Sequence, residues 1–126
     1  MHRDIKCANI LLSGSGAAKL ADFNVSKVVN LQVGLLYTQT GTPYYASPEV
    51  WQDKPYDFKS DVWSMGCVLY EMATLQPPFK ATDMKGLYKK VVHGKYPPLP
   101  GRYSPEFKEF ISFMLQPNPK LRPSCD

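Results

Sequence analysis

The chain begins "MHRDIKCANILL", which sets a carboxylate (Asp4), an ammonium (Lys6) and an amide (Asn9) on one loop that runs into an apolar stretch. Asp4 and Asn9 stand five positions apart, and a second carboxylate, Asp22, follows thirteen residues after Asn9 in "DFN". Phosphoryl transfer is chemistry that uses such a set. Its transition state spreads charge over several oxygens, so a protein must supply metal ligands, a group to orient the attacking hydroxyl, and a cation near the transferred phosphate. Oxygen ligands suit magnesium. Singly, each residue has a plainer reading: a loop Asp or Asn is usually a turn former or a cap, and a loop Lys a solvated charge.

These groups need elements to position them. "ANILL" reads as a short strand, "SGSG" as a turn and "AAKLAD" as a second strand, a hairpin whose two ends present Asn9 and Asp22. Residues 22–45 lack sustained periodicity and are rich in Gly, Thr, Gln and Asn, which predicts a long loop, and long loops in compact domains are usually functional. "KSDVWSMGCVLYEMATL" is apolar around nearly its whole circumference, which predicts a buried hub helix capped by Ser60 or Asp61. Two amphipathic helices follow. One lies after Thr82, with Met84, Leu87, Tyr88 and Val91 on one face; the other is "SPEFKEFISFML", capped by Ser104, with Pro105 in its first turn and Phe107, Phe110, Ile111 and Met114 on one face. Both faces are expected to pack on the hub. The connectors "QPPF", "YPPLPG" and "QPNPKLRP" are proline-rich, and no internal repeat occurs.

At 126 residues the chain fits one small domain. Its 44% apolar and 21% charged residues are ordinary for a globular protein, and the net charge of +4 comes from lysines distributed along the sequence. No aromatic residues interleave with a basic run, so nucleic acid is not an expected partner. Cys7, Cys67 and Cys125 are far apart and form no cluster with His2 and His93, which argues against a disulfide scaffold or a zinc site. The start has no apolar signal core, and the most apolar stretch is interrupted by Glu71, so neither a signal peptide nor a membrane span is expected. The reading is an intracellular protein.

Four stretches occur in compact order: "HRDIKCAN", "DFN", "GTPYYASPE" and "SDVWSMG". Together they resemble the C-terminal lobe of a eukaryotic protein kinase, and "NVSKV" and "TQTGTPYYASPEVW" are similar to the NIMA-related serine/threonine kinases. The resemblance implies a protein kinase-like fold, C-terminal lobe only, mainly α-helical, with a short β-hairpin carrying the catalytic and metal-binding loops. Residues 1–126 would then be a partial kinase domain, from the catalytic loop to the start of the last helix. No GxGxxG loop, VAIK-type lysine or partner helix precedes His2, so the chain is expected to lack the N-terminal lobe and, isolated, to be inactive.

The same resemblance implies the cofactors ATP and Mg²⁺ and protein substrates as partners. Asp4 would orient the substrate hydroxyl and accept its proton; Lys6 would lie by the γ-phosphate; Asn9 and Asp22 would hold Mg²⁺. Thr42 matches a threonine that hydrogen-bonds Asp4 and Lys6. Leu11 matches the floor of the adenine pocket, although a strand leucine is core first and ligand contact second. His2 would pack beneath Phe23. "DIK" and "GTPYY" fit the Ser/Thr pattern of acceptor. Thr38, or alternatively Thr40, matches the regulatory phosphosite, whose added charge would pair with Arg3. Asp61 would hold the "HRD" backbone, and Glu49 would pair with Arg122 as buried support. Relatives act in cell-cycle and ciliary processes, so a cytoplasmic place, at the cytoskeleton or cilium, is implied.

The metal motif carries Asn24 where the family has Gly. Asn is the non-glycine residue best able to take positive φ, so the backbone there is expected to survive. The competing reading is a non-catalytic pseudokinase or protein-docking module, in which Asn24 marks relaxed catalysis. The retention of Asp4, Lys6, Asn9, Asp22 and Thr42 favours the enzyme.

Overall fold

The computed structural model describes residues 1–24 and 43–124. A 3-10 turn over Cys7–Asn9 leads into strand β1 (Ile10–Leu12), which pairs antiparallel with β2 (Ala18–Leu20) in the register Ile10↔Leu20, Leu11↔Lys19, Leu12↔Ala18. The connection closes with Gly16 at φ +82 and the Ser13 hydroxyl accepting the Ala17 N–H at 3.0 Å. Among the described residues four helices follow: α1 (Pro48–Trp51), α2 (Phe58–Thr74), α3 (Met84–His93) and α4 (Pro105–Met114), then a 3-10 turn over Pro119–Leu121.

α2 is the hub. Trp63, Cys67 and Tyr70 on it form a buried cluster with Phe79, with Leu87 and Val91 of α3, and with Ile111 and Leu115 at α4. The Trp63 and Phe79 rings stack at 5.2 Å and 9°. α4 packs closely along α2 because residue 66 is glycine: a Cβ there would stand 2.8 Å from the Met114 Cβ. Ser104 caps α4 by accepting the Phe107 N–H at 3.2 Å, and Pro105 occupies its first turn, where a missing N–H costs nothing.

Three expectations need correction. The N-cap of α2 is Asp57, whose carboxylate accepts the Lys59 N–H at 2.8 Å, so Ser60 and Asp61 lie inside the helix and not at its cap. On α3, Leu87 and Val91 are buried but Met84 and Tyr88 are exposed, and on α4 Phe110 is 51% exposed. α3 lies nearest α1, with Trp51 and Tyr88 edge to face at 6.1 Å, so only its Leu87–Val91 stripe reaches the hub cluster. Finally, positive φ in "DFN" falls on Asp22 (φ 62) and not on Asn24.

Candidate active site

The loop over residues 2–4 makes its sharp bend at Arg3, whose φ of 73 lies in the left-handed region that costs a residue with a Cβ about 1–2 kcal/mol. Asp61, in the first turn of α2, holds that bend. Its two carboxylate oxygens accept the backbone N–H groups of His2 at 2.6 Å and Arg3 at 2.9 Å. Charge-assisted bonds of this kind are the strong ones. They tie the loop to the hub helix.

His2 is buried and links the loop to the second strand. Its Nδ1 accepts the Asp4 N–H at 3.3 Å, and its Nε2 donates to the Ala21 carbonyl at 3.0 Å. Its ring meets Phe23 edge-on at 4.8 Å. Ala21 in turn donates its N–H to the Asn9 carbonyl at 2.8 Å, so the end of β2 is laid beside the start of β1 and Asp22 enters from there.

Asp4, Lys6 and Asn9 form one contact group. Lys6 Nζ lies 3.0 Å from Asp4 Oδ2. The Asn9 amide nitrogen donates to the same oxygen at 3.0 Å and to the Asp4 carbonyl at 2.8 Å. Asn9 is buried, while the Asp4 and Lys6 side chains keep 18% and 36% of their exposure, enough to meet a solvent-borne substrate. With its nitrogen committed, Asn9 has its amide oxygen left as a candidate donor to an ion, and the exposed Asp22 carboxylate, whose Oδ1 accepts the Asn24 N–H at 3.4 Å, is a second candidate. Among the described residues no three His, Cys, Asp or Glu side chains gather to cage a metal. Two protein oxygens, with phosphates and waters completing the shell, is the arrangement magnesium takes, so the donor set fits that ion.

Glu49 and Arg122 form a second, buried pair remote in sequence. Arg122 donates two parallel bonds to the Glu49 carboxylate, at 2.6 and 2.8 Å, and further bonds to the carbonyls of Lys59, Gln116 and Pro117. The Ser60 hydroxyl donates to Glu49 at 2.6 Å, and the guanidinium lies 5.0 Å over the Trp63 ring. Burial pushes the Glu49 carboxyl up, but the bonds from Arg122 and Ser60 outweigh it and hold the carboxyl below the usual range.

Leu11, expected first as a core residue, is 56% exposed on the face of the hairpin. Thr38, Thr40 and Thr42 lie outside the described residues. Sequence reasoning passed over Tyr45, whose hydroxyl donates to Glu71 of α2 at 2.6 Å while its carbonyl accepts from Ser64 at 2.8 Å. Burial and the Glu71 carboxylate hold this phenol well above its usual range, and burial likewise pushes up the neighbouring Cys7 thiol. The signal was present: Glu71 is the one acid amid the apolar run of α2, and such a carboxylate needs a donor.

No helix of the described residues is long and apolar enough to cross a membrane. The protein kinase domain family matches residues 1–126. The serine/threonine-protein kinase Nek1 of Mus musculus is 46% identical over 126 residues, covering 100% of this chain and 10% of that protein. The probable serine/threonine-protein kinase nek3 of Dictyostelium discoideum is 49% identical over 130 residues, covering 100% of the chain and 12% of its own length. The serine/threonine-protein kinase Nek4 of Mus musculus is 44% identical over 124 residues, covering 98% and 16%. The chain thus spans a small part of the curated relatives it matches. The family match over the full chain, with Nek kinases as its relatives, establishes that the chain belongs to the protein kinase domain family.

Proposed function

We propose that this chain is the C-terminal lobe, from catalytic loop to the start of the last helix, of a cytoplasmic serine/threonine protein kinase of the Nek type. The observation that carries the reading is the Asp4–Lys6–Asn9 group, clamped to α2 through Asp61. In this reading a substrate Ser or Thr hydroxyl donates to Asp4, which takes the proton as the oxygen forms its bond to the γ-phosphorus of ATP and the bond to ADP breaks. The Lys6 ammonium, 3.0 Å from the Asp4 carboxylate, would lie by the transferred group, where charge gathers, and would keep that carboxylate oriented. Asn9 and Asp22 would hold Mg²⁺, which when bound neutralises charge on the phosphates. Thr42 would support Asp4 and Lys6, and Leu11 would meet the adenine. A phosphate on Thr38, or on Thr40, would add about two negative charges for Arg3 to pair with.

The test is transfer of a labelled γ-phosphate to a generic Ser/Thr substrate by the protein extended through its upstream lobe, beside an Asp4→Asn variant. The expected result is transfer that falls by about 10² to 10⁴ in the variant, the loss of a general base. A well-folded, ATP-binding protein with no transfer would put the non-catalytic docking module in its place.

A further inference from the structure

Residues 80–95 contain Lys80, Lys85, Lys89, Lys90 and Lys95 against Asp83, five positive charges less one negative, or +4, which equals the net charge of the whole chain. The remaining residues therefore sum to zero. The lysines are distributed along the sequence, but their excess sits on α3 and its flanks, where all five are exposed. Asp83 is committed as the cap of α3, accepting the Gly86 N–H at 2.6 Å.

With Leu87 and Val91 turned to the core, Lys85, Lys89 and His93 follow one another along the outward side at four-residue steps of about 6 Å. Beside them run Met84, Tyr88 and Val92, with Met84 50% and Tyr88 38% exposed. A basic stripe and an apolar stripe thus lie side by side on one solvent-facing surface. Like charges at i and i+4 destabilise a helix, so the Lys85–Lys89 pair is a cost that an acidic partner would relieve.

We propose that the outward face of α3 docks an acidic segment of a protein partner, with carboxylates on Lys85 and Lys89 and an apolar side chain on the Met84–Tyr88–Val92 stripe. Alternate residues of an extended chain are about 6.6–6.8 Å apart, close to the lysine spacing. A nucleic acid fits less well, because the apolar stripe gives a phosphate nothing. The surface involves none of the residues assigned to phosphoryl transfer, so it stands or falls apart from that reading.

The experiment is fluorescence anisotropy of a labelled peptide alternating Glu and Leu, titrated with the full chain, beside a Lys–Leu peptide and a single-stranded RNA. Saturable binding of the Glu–Leu peptide is expected, weakened about tenfold by Lys85→Glu/Lys89→Glu and unchanged by Lys120→Glu on the last 3-10 turn. It should also weaken as salt shortens the Debye length from about 10 Å at 0.1 M to about 3 Å at 1 M. Lys85→Gln/Lys89→Gln, which removes the charge without reversing it, should give a smaller loss in the same direction, and Met84→Ser should weaken binding without changing its salt dependence. Absent or non-saturable binding, equal affinity for the Lys–Leu peptide, tighter binding of RNA, or indifference to the lysine variants would each overturn the proposal.

Discussion

Asp61 accepts two adjacent backbone N–H groups with its two oxygens, and an amide in its place has one acceptor and one donor. Asp61→Asn therefore loses one charge-assisted bond and turns an NH₂ toward an N–H, while Arg3 remains in a left-handed conformation with less to hold it. The expected loss is about 2–3 kcal/mol of folding stability, read by urea unfolding of the chain. In the proposed kinase, extended through its upstream lobe, the same variant should lower kcat with little change in KM, because the carboxylate it misplaces is the one proposed to take the proton of the reacting hydroxyl. A kinetically silent Asp61→Asn would show that the bend at Arg3 holds itself. Tyr45→Phe is a milder case at this scale. It leaves Glu71 without its 2.6 Å donor, and a loss of about 1–3 kcal/mol is expected in the same unfolding measurement.

Among elements, α2 and α4 approach closely at Gly66. A methyl group there would stand 2.8 Å from the Met114 Cβ and 3.0 Å from the Leu115 side chain, and a Cβ cannot swing away as a side-chain end can. Gly66→Ala should cost about 1–3 kcal/mol in thermal unfolding despite alanine's better helix propensity. Met114→Ala in the same chain should not restore it, since the offending Cβ remains; restoration would mean that side-chain volume and not backbone approach sets the contact. Such approaches are invisible in a sequence, whereas the elements themselves were legible. The hairpin, the hub and the two later helices follow from turn residues and from period, and Ser104 with Pro105 marked the start of α4. The cap of α2 was misjudged because Asp57, Ser60 and Asp61 are all capping types, and the apolar pattern that would choose among them begins only at Val62, after the half-exposed Phe58. Met84 and Tyr88 share the period of Leu87 and Val91, but which part of that stripe meets the hub depends on α1, four residues long and too short to read by period. The site was legible where its contacts are local, as between Asp4, Lys6 and Asn9. Its anchor to Asp61, 58 positions from Arg3, could be expected only from the resemblance to a family.

At the scale of the whole molecule, the Glu49–Arg122 pair joins the first helix to the last described turn across 73 positions, with side chains 6% and 0% exposed. A buried pair of this kind is weak evidence of net stabilisation, but removing one partner leaves the other charge stranded. Glu49→Gln should therefore cost about 3–5 kcal/mol at pH 7, with Arg122 still charged among the carbonyls of Lys59, Gln116 and Pro117. The pH dependence has a definite sign. The folded pKa of Glu49 lies below its unfolded value, near 4.5, so its contribution is fully present above that value and is lost as pH falls through the lower, folded one. Below it the wild-type carboxyl is protonated and resembles the amide. The stability gap between wild type and Glu49→Gln, measured by urea unfolding across the acid range, should be constant near neutrality and should close as the pH drops below the ordinary carboxylate value. A gap that stays constant into that range would mean the pair acts through shape and neutral hydrogen bonds alone. A gap that closes would identify it as the charge-dependent clasp between α1 and the end of the described chain.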